Sequence, residues 1–576
     1  MLSNSVVAAM LASGYVVTLV VQLNPTLPLH PLRLVPIVTT VGLFYTVHLT
    51  VIFYIVLVMR QLFAREDFSP AWVSVSVLAW LGAAAALAGA ALMWANLQTF
   101  ALVLEPDTVT HIVNGALTLV VAAAFFVFVG VLRAHLGLTG RAVWALLFVA
   151  VAAGSLVAPL AVRGRGMPPL LDAHPLDIAI DLAPAERQAR VAIVAVDAGS
   201  LDFITSATAN GRLPNFGRIL DAGVVMHLAT LHPTSAEAVW AAVATGKLPQ
   251  KNGVRSAGSY RLPGGGAPIL LLPDYCFSHL LVRFGFLIEQ PHTPATLRTR
   301  TLWNILGALG IPVGVVGWPL TYPAPPVRGY LVSDLFHRLL ATPAGVDDTS
   351  AVYPREIHEA ALRAAEAVDA EDDPVMQASR LDRRYEGPGR TDRAYDRIAR
   401  ELGGTRPVQI SIVRYQSLDP IGHYFLRYVM PSEFGDVSDE ERRRFGSVLE
   451  QHYGLIDDAI GRAIRSLAPD DLLLVVSGYG MEPIGILKRL LERAVGDPDL
   501  SGTHEAAPEG FLMAYGGPIV RGRLTSRASV VDVVPTVLYF LGLPIGRDMD
   551  GYARTDLFKP SFTEERPITF IPTYDR

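Results

Sequence analysis

The 576-residue chain is 51% apolar with a mean hydropathy of +0.36, too long for one compact domain and too apolar for a wholly water-exposed one. A formal net charge of −5, with no basic tract interleaved with aromatics, argues against a nucleic-acid partner. One cysteine, Cys276, excludes an internal disulfide framework and a cysteine-rich metal site.

Five apolar runs fill the first third, at 6–23, 34–58, 71–95, 112–132 and 142–162. Each is close to the ~20 residues that a helix needs to cross a bilayer. The first run lacks the basic start and small-residue cleavage site of a signal peptide, and four more runs follow, so it reads as a retained helix. Arg60 and Arg65 between runs two and three, and Arg133 and Arg141 between runs four and five, make those loops cytoplasmic, against Arg33 alone in the other two. Arg163 and Arg165 oppose this orientation. The reading is an integral, multi-pass membrane protein with its N-terminus inside and everything after run five extracytoplasmic. His48 and His111 are isolated in or beside these runs and read as packed or interfacial. Residues 1–166 are therefore expected as a transmembrane domain of about five helices, and the proline-containing, aperiodic stretch 167–190 as a linker.

From 191 onward, apolar runs alternate with helical patterns: VAIVAVD (191–197), a helix near 213–222, PVGVVGW (312–318), VQISIVRY (408–415), a long helical pattern over 440–467, and DLLLVVS (471–477) running into a glycine turn at 478. Continuous apolar strands separated by amphipathic helices predict an α/β domain over 191–576 with a mostly parallel sheet covered on both faces. In such sheets ligands bind beyond the carboxyl ends of the strands. Asp197 stands at one such end, where it is suited equally to capping a turn and to binding metal. Asp419 and His423, in DPIGH after the strand 408–415, are four apart, so a helical turn puts a carboxylate and an imidazole on one face. A helix cap and a surface histidine explain the same pair. His504, in the glycine-flanked SGTHEAAPEGF, is either a third ligand or a loop histidine.

The order of these pieces carries more than any one of them. Asp197, PTSAEAVWAAVATGKLPQKNGV (233–254), DPIGH, the turn at 478, GTH, and VVDVVPTVLYFLGLPIGRDMDGY (530–552) together resemble the alkaline phosphatase superfamily, in its type I phosphodiesterase and nucleotide pyrophosphatase branch. VGWPLTYPAPPVRGYLVSDLF (315–335) and the closing IPTYDR extend the resemblance over 191–576. It implies an alkaline-phosphatase-like domain with two metal ions, usually zinc, and a Thr or Ser nucleophile that forms a phospho-enzyme. One metal site carries over as Asp419, His423 and His504. The other would comprise Asp197, the nucleophile, and an Asp-His pair at the strand end before 480.

At that strand end the family has Ser-Asp-His-Gly, whereas this chain has Ser477, Gly478, Tyr479 and Gly480. The nucleophile position, nine residues before Thr245 and four before Trp240, falls on Ala236. Thr234 and Ser235 are the nearest hydroxyls and the candidate catalytic residues. The expectation is one divalent metal, zinc, with the second doubtful.

Two functions follow from these residues. The first is a membrane-anchored, extracytoplasmic, metal-dependent phosphoester hydrolase or phosphotransferase-like protein, of phosphodiester type, that does without the two-metal Thr/Ser mechanism. Its architecture looks like that of lipoteichoic acid synthases and phosphoethanolamine transferases, and its partners would be a phosphorylated small molecule or an envelope lipid or polymer. The second is a catalytically degenerate domain, a pseudoenzyme, acting in binding or envelope assembly. A third reading, in which the helices carry the function, has no charged cluster in them to support it.

Overall fold

The computed structural model describes residues 1–63, 71–136, 141–163, 189–337, 349–369, 387–505, 507–523 and 526–575. Most of the linker, with Arg65 and Arg165, lies outside them. The chain divides into two compact units, one of residues 1–171 and 255–291, the other of 172–254 and 292–576.

The first unit contains five helices long and apolar enough to cross a membrane: α1 (Leu2–Leu23), α2 (Pro31–Phe63), α3 (Val75–Thr99), α4 (Pro106–Leu136) and α5 (Arg141–Arg163). Helices meet the bilayer's demand that every backbone polar group be paired internally. Small residues let them approach: a Cβ on Gly82 would crowd the Phe126 ring and one on Gly89 would crowd Tyr15 and Leu119. Tyr15 and Ser155 share a 2.8 Å hydrogen bond, and Gln22 Nε2 donates to the Pro159 carbonyl.

The sequence reading treats 191–576 as uninterrupted. The structure instead groups 255–291 with the helices. Asn24 Oδ1 accepts the Leu270 and Leu271 amides, Asn96 Oδ1 accepts that of Asp274, and the buried Arg255 guanidinium pairs with Glu105. Ile269, Leu271, Leu281 and Leu287 are buried in apolar clusters shared with the helices. A local pattern does not reveal such a return, because each contact joins residues far apart in the chain.

The second unit is an α/β domain with a mostly parallel central sheet. Its sheet has the strand order 522–523, 224–229, 509–516, 472–479, 191–196, 410–415, 313–318, 329–333, 352–353, with 528–529 beside 224–229. Only Glu509–Gly516 and the edge strand Val352–Tyr353 run against the rest. Val191–Val196 lies at the centre, with Val196 opposite both Tyr415 and Ser477, so the carboxyl ends of three strands meet at one edge, Leu472–Tyr479 reaching two residues further. These strands are apolar and largely buried, as a sheet covered on both faces requires.

Two expectations need correction. The strand Leu472–Tyr479 continues through Gly478 and Tyr479, because Glu509 pairs with Tyr479 across the ladder, and the chain turns only afterwards. The pattern over 440–467 is two helices, Asp439–Phe445 and Val448–Ser466. Ser438 and Glu441 form a capping box at the start of the first, and Gly446 and Ser447 separate the two.

Candidate metal centre

Asp419 and His423 lie in the first turns of the helix Leu418–Val429, four residues apart and on one face as their spacing predicts. His504 follows the short strand Gly502–Thr503. Two hydrogen bonds hold that loop against the helix: the Ser501 amide donates to the His423 carbonyl at 2.6 Å, and His423 Nδ1 is 2.8 Å from the Gly502 carbonyl. The second bond fixes the ring and leaves His423 Nε2 facing Asp419, at 3.8 Å from Oδ2. His504 Nε2 lies 3.5 Å from Asp419 Oδ1. One ligand atom from each of the three residues lies within 4.8 Å of the others. Ligands on one tetrahedral zinc, with bonds of about 2.0–2.1 Å, stand about 3.4 Å apart, so the set fits a single ion of that size. All three residues are half-buried, which leaves the triad open to a ligand.

The other sequence candidates lie at the same strand ends but do not form a second site. Asp197 is buried, and both of its carboxylate oxygens are taken by Arg414: Nε donates to Oδ1 at 2.9 Å and Nη2 to Oδ2 at 2.5 Å. Burial disfavours the Arg414 charge, but Asp197 outweighs it and holds the guanidinium above its ordinary range. Arg414 Nη1 also donates to the Gly317 carbonyl at 3.3 Å. Tyr479 is fully buried, and burial together with the charges of Asp197 and Asp419 keeps its phenol neutral, its hydroxyl 3.5 Å from Asp419 Oδ1. A Cβ at Gly478 would come within 2.4 Å of Val239 Cγ1, so the helix Ala236–Thr245 occupies the place where another side chain would project. Asp197, bound to Arg414, together with Gly478 and a neutral Tyr479, does not fit a divalent cation.

Thr234 donates its hydroxyl to the Leu231 carbonyl at 2.7 Å and is buried. Ser235 caps the helix Ala236–Thr245, its Oγ accepting the Ala238 amide at 3.3 Å. Both hydroxyls therefore have structural partners. Sequence reasoning missed Arg414, although an arginine next to last in the apolar VQISIVRY was a signal that a buried carboxylate stood nearby. It also missed Glu237, in the first turn after Ser235, whose carboxyl is pushed up to about 7 by burial while interacting with Arg414, Asp197 and Asp419.

The family model for type I phosphodiesterase / nucleotide pyrophosphatase matches residues 191–533. The chain belongs to this family. Among solved structures, a mutant of the alkaline phosphatase PafA is similar at a TM-score of 0.41 and 13% identity, over 65% of this chain and 100% of that one. Murine ectonucleotide pyrophosphatase / phosphodiesterase 5, in an inactive form complexed with AMP, is similar at 0.37 and 12%, over 65% and 100%. No curated protein matches the sequence. The phosphodiesterase-family match runs straight through 255–291, the residues that group with the helices.

Proposed function

We propose that this phosphodiesterase-family protein is a multi-pass membrane protein whose extracytoplasmic domain holds one divalent metal, zinc, on Asp419, His423 and His504 and hydrolyses or transfers a phosphoester of phosphodiester type. The observation that carries this reading is the convergence of those three side chains at the carboxyl ends of the strands. When bound, the ion supplies Lewis acidity toward a phosphoryl oxygen and toward water. The chain's own part is to hold the three ligands, with His423 oriented by the Gly502 carbonyl; Glu237, whose carboxyl burial pushes up to about 7, is the candidate to accept or return a proton. Ala236 offers no nucleophilic oxygen, and the hydroxyls of Thr234 and Ser235 are engaged, so the reading runs without a phospho-enzyme. The phosphorylated partner would be a small molecule or an envelope lipid or polymer.

A second reading is favoured by the Asp197–Arg414 pair: a catalytically degenerate domain that binds a phosphorylated ligand or assembles in the envelope without turning it over. The full chain in detergent separates the two. One metal per chain, lost in His423→Ala, together with hydrolysis of bis(p-nitrophenyl) phosphate that falls at least about a hundredfold in the same variant, supports the enzyme. One metal without turnover, or no metal in the wild type, supports the degenerate domain, and no metal overturns the enzyme.

A further inference from the structure

Outside the metal centre, the second unit contains a cleft of about 980 Å³, at the upper end of the size range of small-molecule sites. Arg298, Arg300 and Arg328 stand on its walls, Trp303 and prolines supply apolar surface, and no aspartate or glutamate lines it. In a chain with a net charge of −5, this local excess of cations stands out. Arg298 and Arg328 have no ion-pair partner among the described residues. Burial, with no carboxylate to offset it, holds the Arg298 guanidinium below its ordinary range. Asp575 lies beside Arg300, but its Oδ1 accepts the Arg300 amide and its Oδ2 pairs with Lys247.

Two of the arginines are seated against glycine. A Cβ on Gly253 would fall 2.7 Å from Arg298 Cγ, and the Arg328 guanidinium lies 3.8 Å from the Cβ position of Gly310. Both glycines have positive φ, at 89° and 85°, so the backbone that supports the arginines also requires glycine there. The Thr299 hydroxyl, on the same wall, is buried with no hydrogen-bond partner among the described residues. Arg298 is half-buried and Arg328 exposed; a half-buried cation without a counter-ion is unfavourable unless an anion joins it, and the planar guanidinium fork of both matches phosphate oxygens.

We infer that this cleft is a binding site for a phosphate-bearing ligand, with Arg298 and Arg328 as its principal anion-binding residues and Arg300 and Thr299 completing the polar wall. It shares no residue with the metal triad and stands whether or not that triad binds metal.

The test titrates the full chain in a zwitterionic detergent, stripped of metal by chelator so that the triad is silent, separately with inorganic pyrophosphate and with dihexanoyl phosphatidylglycerol below its micellar concentration. Arg298→Gln and Arg328→Gln should each weaken binding about tenfold, and Arg298→Lys, which keeps the charge but loses the fork, by less. That loss seen with pyrophosphate identifies a soluble phosphate ligand, and seen with the lipid alone identifies a headgroup. Reloaded metal content and melting temperature, unchanged in the variants, establish that they fold. Binding that is equal in wild type and variants, or absent from both titrations, overturns the inference.

Discussion

Removing Arg414 alone strands a buried carboxylate. Arg414→Met should cost about 3–5 kcal/mol, because Asp197 then keeps its desolvation without its partner. Adding Asp197→Leu should recover most of that loss, since apolar replacement of a whole buried pair is close to neutral. Urea unfolding followed by the fluorescence of Trp240, Trp303 and Trp318, which pack edge to face, measures both. Equal destabilisation of the single and double variants would mean that the pair is not the origin of the effect. The same geometry governs any attempt to rebuild a second metal site. Ala236→Thr, Gly478→Asp and Tyr479→His together should bind no more metal than wild type, because Arg414 still holds Asp197 and Val239 blocks residue 478. Adding Val239→Ala and Arg414→Ser should raise metal content toward two per chain by elemental analysis. At this scale the grouping of Asp419, His423 and His504 was legible, since Asp419 and His423 share a helical spacing and His504 a motif. Arg414 was not, because its partner is 217 residues away and strand pairing alone brings them together.

The helix Leu418–Val429, which carries two of the three candidate ligands, starts under the control of a residue from another element. Asp392, fully buried in the helix Gly387–Thr405, accepts the amides of Gln416 at 2.8 Å and Ser417 at 3.0 Å just before that helix begins. Burial pushes its carboxyl from 3.8 up to about 7, so between those values the folded state holds a proton that the unfolded chain has released. Its contribution to stability therefore falls as pH rises from about 4 to about 7, and is flat on either side. Asp392→Asn keeps an acceptor for one amide and removes the titration. Melting temperatures of variant and wild type, compared over that range, should show the variant gaining relative stability with rising pH, and a constant difference would refute the assignment. Element types were readable from periodicity along most of the domain. The errors fell where tertiary pairing extends a strand, as Glu509 does for Tyr479, or where a capping box and Gly446 divide one amphipathic pattern into two helices.

Over the whole molecule, five membrane-length helices followed by an α/β domain were visible in composition and motif order, because lipid and a doubly covered sheet each impose a pattern on consecutive residues. The membership of 255–291 in the helical unit was not, because it depends on single polar anchors such as Asn24 and Asn96. The covalent path accordingly passes between the units three times, near 171, at 254 and at 291, rather than once. A truncated chain beginning at residue 189 would carry an apolar loop deprived of its support, exposing Ile269, Leu271, Leu281 and Leu287 in addition to Tyr275, Phe277 and Phe284, which are already exposed. Such a fragment should aggregate on size-exclusion chromatography. Gly258 and Pro291 are direct partners in an antiparallel pair, so a short turn can replace 259–290, and that fragment should elute as a single monomeric species. Freeing this domain from the membrane thus takes two incisions and a suture.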